Sequence, residues 1–402
     1  MPQRAIPCIP DAAEPERRLR SALILIILAL SSLFFAGYVY FFSTAGFAGN
    51  DFFVFWAAAR FLQHGSLAGV YDPSLFYPFE HSLGVLGDHR AAQGGGLPFV
   101  YPPHAALLFL SFAHLPLRAA LVVWDALSLL LYVAAGWQLL RPRAAATFAA
   151  LIAPSTVSNL IYGQTGLLTG GLTMLGFGLL QRAPILAGVA FGLLSIKPQM
   201  AVLPLLVLLL SGKRPAILAA AVTILALLLA SVAVFGPASW SDWLGTLSGF
   251  STAVSAHAWH YQYGVTVYFT LLDLGADRGL AMAAQGLVSL LVLWKIVCLV
   301  RRDQGPLAIM AALVGLFLAT PYALVYDLPV VSAVCLMMIV QGNRSGFLDG
   351  ELLLAAMAWC LPLLLTVLGG GNPALALSVL IGLLALILRR TELQKAQHPA
   401  SA

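Results

Sequence analysis

Long apolar runs follow one another from residue 21 to residue 388, and several approach the roughly 20 residues that cross a hydrocarbon core. A chain of this pattern has no polar face to offer water along most of its length. It folds as a polytopic membrane protein whose backbone hydrogen bonds close inside helices. Composition agrees: 60% of the 402 residues are hydrophobic and 9% charged, against about 25% charged in a soluble domain. The net charge of +5 does not point to nucleic acid. The basic residues cluster at the ends of apolar runs, where topology places them, and form no stripe interleaved with aromatics.

The expected architecture is all-α, with about twelve transmembrane helices in one integral domain over residues 21–390. Residues 1–20 and 391–402 are read as cytoplasmic tails. The basic group Arg17, Arg18 and Arg20 precedes the first apolar run, which is too long for a signal-peptide core and is read as a retained first helix. Residues 43–101 then form a first external loop carrying short amphipathic helices. Residues 236–263 form a second external segment. Within the first loop, Phe52, Phe55, Trp56 and Ala59 recur at helical spacing, which predicts an interfacial helix with Asn50 or Asp51 at its start. Pro73 suits the first turn of another helix. Gly94, Gly95 and Gly96 mark a hinge or mobile cover, with no phosphate-cradling Gly-Lys pattern nearby. Residues 105–115, after Pro102 and Pro103, are read either as a half-depth or re-entrant piece, which the placement of the basic residues favours, or as a full span with residues 184–210 as one broken helix.

Ionisable and amide side chains beside apolar runs are costly and mark function. Asp51 is the first candidate, although capping its own helix would also account for it. Lys197 interrupts an apolar run beside Pro198. Snorkelling explains a lysine at a span end, whereas the proline breaks the helix and frees carbonyls, as in a built site. Gln164, in a Gly-Gln-Thr-Gly turn, and Tyr326 with Asp327, after Thr320 and Pro321, are further candidates. An interface belt explains Trp259, Tyr261 and Tyr263, but not His257 and His260 among them. Tyr101 and His104 flank the double proline, and Arg60 ends the Asp51 helix. A carboxylate at an apolar interface can serve as general base towards a hydroxyl, and lysine or histidine suits a phosphate. Asp51 is followed by Phe52 and Phe53 and not by a second carboxylate, so no metal is inferred. The four cysteines are scattered and read as packing residues. A transporter or lipid flippase is the alternative. It calls for charges paired at mid-membrane and for repeat symmetry, neither of which is evident. A third reading is a non-catalytic scaffold.

These residues carry a resemblance. The run from Asn50 to Arg60, then Gly65, Val70-Tyr71-Asp72, Phe99-Val100-Tyr101-Pro102-Pro103, Leu115-Pro116, Gly163-Gln164 and Ile196-Lys197-Pro198-Gln199 resemble the bacterial glycosyltransferase family 87. That family consists of GT-C-type membrane enzymes similar to polyprenol-phosphate-mannose-dependent mannosyltransferases. The resemblance implies metal-independent inverting transfer of a hexose, mannose first, from a polyprenyl-phosphate donor to a lipid or glycan hydroxyl. The reaction is expected on the outer face of the cytoplasmic membrane, without a cofactor and with membrane lipids around the protein. By similarity Asp51 is the general base. An external histidine and Lys197 lie near the donor phosphate, and the Tyr101 segment shapes the pocket.

Overall fold

The computed structural model describes residues 14–44, 50–85, 96–140, 143–256, 262–302, 305–367 and 371–397. Among them there is no strand, only an isolated antiparallel bridge between Gly264 and Leu324. The helices are α1 (Glu14–Thr44), α2 (Asn50–Phe61), α3 (Leu67–Tyr71), α4 (Pro73–Ser82) and α5 (Pro103–Phe109), the last followed by a 3-10 turn at Leu110–His114. Then come α6 (Leu117–Leu139), α7 (Arg143–Ile152), α8 (Pro154–Tyr162), α9 (Gly166–Leu179), α10 (Pro184–Leu193), α11 (Pro198–Ser211), α12 (Arg214–Phe235) and α13 (Ala238–Ala256). The rest are α14 (Val267–Asp273), α15 (Arg278–Arg302), α16 (Pro306–Ala319), α17 (Pro329–Ser345), α18 (Glu351–Trp359), α19 (Leu361–Val367) and α20 (Pro373–Gln397).

Proline sets many of these starts. It stands at the first turn of α4, α5, α8, α10, α11, α12, α16 and α17, where its missing N–H costs nothing. Pro73 is thus placed as expected, and Asp72 caps α4 by accepting from the Ser74 N–H at 2.9 Å.

Among the described residues five helices are long and apolar enough to cross a membrane: Ser21–Tyr40 within α1, then α6, α12, α15 and Pro373–Gln394 within α20. A sixth crossing results if α7 and α8, bent by 53° at Ala153 and Pro154, count as one. The protein is an all-α integral membrane protein. Several of the expected spans are shorter apolar helices of 10–17 residues, namely α9, α10 with its 3-10 extension, α11 and α16. Pro154 has no N–H to continue the hydrogen bonding of α7, and the axis turns there. Both terminal helices also run past the expected tails: α1 begins at Glu14 and α20 continues to Gln397.

The largest core gathers around α16, where residues 310–314 are all nearly inaccessible. Small residues let helices meet closely, as at Gly188, where a Cβ would stand 2.2 Å from the Ala216 carbonyl of α12.

A second core holds α2, and here the structure corrects the expectation of an interfacial helix. Phe52 through Ala59 are buried without interruption. A helix apolar on every side is a core helix, and α2 is enclosed by α5, its 3-10 turn, α4 and α6. Phe55 stacks on Phe109 with centroids 4.4 Å apart, and Phe52 lies over Trp124 at 6.1 Å. Residues 103–114 are two short helical pieces inside this cluster. Across them lies α13, a helix of 19 residues that fails as an apolar span, with the Trp243 indole donating to the Val100 carbonyl at 3.0 Å.

Candidate active site

The turn between α8 and α9 organises the polar groups. Gly163 takes a left-handed conformation, φ 64°, which ends α8 and lets the Gln164 N–H reach the Asn159 carbonyl at 3.2 Å. Gly166 answers a different need. A Cβ there would fall 2.0 Å from the Tyr326 carbonyl, so only glycine lets the 325–327 turn lie against the start of α9. Asn159 Nδ2 donates to that same carbonyl at 3.0 Å.

The Gln164 side chain bridges two elements. Its Oε1 accepts from the Tyr101 hydroxyl at 3.2 Å and from the Thr165 N–H at 3.2 Å, so its Nε2 is left to donate to Asp51 Oδ2 at 2.9 Å. An amide has one accepting and one donating end, and with the accepting end committed the donor must face the carboxylate. Tyr101 is fixed in turn by Thr165 Oγ1 at 2.9 Å, while Tyr71 donates to the Tyr101 carbonyl at 2.7 Å. Asp51 itself sits half-buried in the first turn of α2.

Beside this lies a buried ion pair. Lys197, at the break between α10 and α11, donates to Asp327 Oδ1, and both residues are almost inaccessible. Asp327 Oδ2 also accepts from the Leu324 N–H at 3.1 Å. Lys197 Nζ lies 5.5 Å from the Tyr326 ring centroid, and Tyr326 packs on Tyr162 at 5.5 Å. Asp51 acts electrostatically on Tyr101, Tyr162, Tyr326 and Lys197, so these groups border one region. Burial holds the Tyr101 and Tyr326 phenols above their ordinary range, with the Asp51 and Asp327 carboxylates adding to the effect on Tyr326. Both phenols therefore remain neutral donors at neutral pH.

Of the sequence candidates, Asp51, Tyr101, Gln164, Lys197, Tyr326 and Asp327 come together. Arg60 does not join them: from the far end of α2 its guanidinium donates to the Ala113 carbonyl at 3.2 Å and covers Trp56 at 5.3 Å. His104 is buried with its ring flat on Trp240, 5.5 Å away, tying α5 to α13. His257 and His260, with Trp259 and Tyr261, lie outside the described residues, as do residues 87–95 of the expected cover at 87–98, whose described end includes a Leu97 N–H donating to Glu80 Oε2 at 2.8 Å. The chain just after the histidines is held at the site, with Val325 N–H donating to the Tyr263 carbonyl at 3.0 Å.

Sequence reasoning passed over Thr165, Asn159 and Tyr162, which carry no charge. It also missed Asp125, a carboxylate inside α6 that the rule on intramembrane acids would have found.

The fold and this cluster define an integral membrane protein with a carboxylate, amide and ion-pair site at the junction of a non-spanning core and a helical bundle. The model of glycosyltransferase family 87 matches residues 99–326, more than half of the chain, and the chain belongs to that family. Asp51 lies ahead of the matched segment. The chain is 30% identical over 267 residues to a polyprenol-phosphate-mannose-dependent alpha-(1-2)-phosphatidylinositol mannoside mannosyltransferase of Mycobacterium tuberculosis. That similarity covers 57% of this chain and 61% of the relative, less than two thirds of the relative's length. No solved structure matches the chain.

Proposed function

We propose that the protein is a membrane glycosyltransferase that moves a hexose, mannose first among candidates, from a polyprenyl-phosphate donor to a hydroxyl of a lipid or glycan acceptor. The observation that carries this reading is Asp51, held by Gln164 in the first turn of a buried helix, with Lys197, Tyr326 and Asp327 across the same region. Family membership and the mannosyltransferase relative support it.

In this reading Asp51 takes the proton of the acceptor hydroxyl. The acceptor oxygen bonds to the sugar's anomeric carbon from the face opposite the phosphate. The bond from that carbon to the phosphate oxygen breaks, and its electron pair leaves with the polyprenyl phosphate. The configuration inverts, because attack and departure occur on opposite faces. Lys197 with the Tyr326 hydroxyl is the side suited to the departing phosphate, whose charge competes with Asp327 for the ammonium. The transfer is assigned no metal: the two residues after Asp51 are buried phenylalanines, so its helix offers no second carboxylate there. An outer-face site, a GT-C architecture and about twelve crossings belong to the same reading, with the shorter apolar helices counted as tilted or partial spans.

The test compares wild type with Asp51→Asn in lipid, reading release of polyprenyl phosphate from a polyprenyl-phosphate mannose donor given a crude lipid extract. Asparagine fits a helix start, so the variant is expected to fold and to lose about 10²-fold or more in rate. Retained release by the variant rules out the base role.

A further inference from the structure

Helix α8 packs against both α2, which carries Asp51, and the 325–327 turn. Asn159 of this helix is fully buried, and two connections meet in it. Its carbonyl accepts the Gly163 and Gln164 N–H groups, the latter at 3.2 Å, and so fixes the turn whose amide holds Asp51. Its side-chain Nδ2 donates at 3.0 Å to the Tyr326 carbonyl, in the turn whose Asp327 holds Lys197. Two neighbours on the same face run alongside. Ser155, about one turn earlier, meets Ser332 Oγ at 2.7 Å, and Tyr162, about one turn later, packs its ring on Tyr326. Both make contacts between side chains, which can rotate. Asn159 grips the backbone of the turn.

An amide is also an expensive choice here. A carbonyl can only accept, so Nδ2 must face Tyr326 and Oδ1 must face away. Oδ1 is buried with no hydrogen-bond partner among the described residues. A leucine of similar size would avoid that cost. The close approach at Gly166 has the same bearing, since a Cβ there would stand 2.7 Å from Asn159 Nδ2 and 2.0 Å from the Tyr326 carbonyl. Glycine at 166 and an amide at 159 both serve one bond.

We infer that Asn159 is a positioning residue, which sets the distance between Asp51 and the Lys197–Asp327 pair by tying together the two turns that hold them. The inference rests on the glycosyl-transfer reading, in which the acceptor hydroxyl must reach the sugar carbon on the face opposite the departing phosphate. A misplacement of about an ångström between the two sides is enough to slow such a reaction. Asn159 itself meets neither substrate. It acts through Gln164 on one side and through the Tyr326 backbone on the other.

The test uses the full chain in lipid nanodiscs and Asn159→Leu, which keeps the bulk and removes both ends of the amide. Loss of the Nδ2 bond is offset by removal of the unpartnered oxygen, so the melting temperature is expected to stay near that of wild type. Hydrogen exchange of the peptide over 322–328 is expected to quicken about tenfold. The kcat per folded molecule is expected to fall about 10²-fold with acceptor KM unchanged. Gly166→Ala, which pushes the Tyr326 carbonyl off the amide, is the second variant and is expected to do the same. The two changes together should lower kcat no further than either does singly, because they break one bond. Losses that multiply would show separate damage to the fold and overturn the inference. So would unchanged exchange over 322–328 in Asn159→Leu, or a wild-type kcat. Exchange needs no turnover. Faster exchange without Asp51-dependent release of polyprenyl phosphate would retire the transfer reading and leave the tie between the turns standing.

Discussion

Gln164 shows how one side chain can set the geometry of another. Its amide oxygen is committed to Tyr101 and Thr165, and its amide nitrogen faces Asp51. Gln164→Leu keeps the bulk and removes the anchor. The expected result is a fall in kcat of about 10²-fold, the order that misplacement by an ångström produces, with donor KM and melting temperature nearly unchanged. A comparable fall in donor affinity would make Gln164 a binding group instead. Lys197 and Asp327 behave differently, because each is buried against the other. Lys197→Met alone leaves a buried carboxylate unpaired and is expected to cost about 3–5 kcal/mol, while Lys197→Met with Asp327→Leu recovers most of the loss. Melting of the two variants in detergent separates the cases, and a double variant no more stable than the single one would show that the pair is not coupled. Of these residues, Asp51, Gln164, Lys197 and Asp327 were legible because charge or amide in an apolar run is conspicuous. That Lys197 pairs with Asp327, 130 positions away, was not legible, since no local pattern encodes a contact between two helix breaks.

At the scale of elements, α2 was legible as a helix and misjudged in its surroundings. The spacing of Phe52, Phe55, Trp56 and Ala59 describes one apolar face, yet Phe53, Val54, Ala57 and Ala58 are equally buried. The run was apolar all round, which points to a core position once other short helices can enclose it. Those enclosing pieces were visible only as a Pro-bounded loop. Their cohesion includes His104, stacked on Trp240 between α5 and α13. Burial holds the His104 imidazole below its ordinary value, partly offset by the Ser195 backbone. The folded form therefore prefers neutral His104, and the unfolded chain takes up the proton first as pH falls below about 6.5. The stability from this histidine is complete above that pH and is lost on acidification. His104→Phe keeps a ring against Trp240 and removes the titration, so its melting temperature is expected to fall less than wild type between pH 7 and pH 5. Parallel curves for the two proteins would remove His104 as a source of acid lability.

Across the whole molecule, hydropathy announced a helical membrane protein, and among the described residues five or six of its helices are long and apolar enough to cross, the others being shorter apolar pieces. Proline and lysine breaks divide apolar sequence into pieces whose ends meet in three dimensions, and residues 143–162 illustrate this with their 53° bend. The final helix shows what such a bundle needs where it meets the polar boundary. Arg390, near the end of α20, is buried and donates to both carboxylate oxygens of the inaccessible Glu351 at the start of α18. Its guanidinium also donates to Ser345 Oγ at 3.0 Å and to the Gly346 carbonyl at 2.6 Å, while Glu351 Oε2 accepts from the Leu348 N–H at 2.8 Å. One bidentate pair thereby closes the turn from α17 to α18 and fastens the last helix to it. Arg390→Met is expected to destabilise by about 3–5 kcal/mol, because a carboxylate is left buried without its partner. Lysine restores the charge but not the fork, so Arg390→Lys should recover only part of the loss. Neither change touches Asp51 or Gln164, so polyprenyl phosphate release per folded molecule should stay at the wild-type rate below the melting transition. A specific rate that fell with Arg390→Met while the protein remained folded would mean that the last helix controls the site, and the clamp would then be more than a fastening.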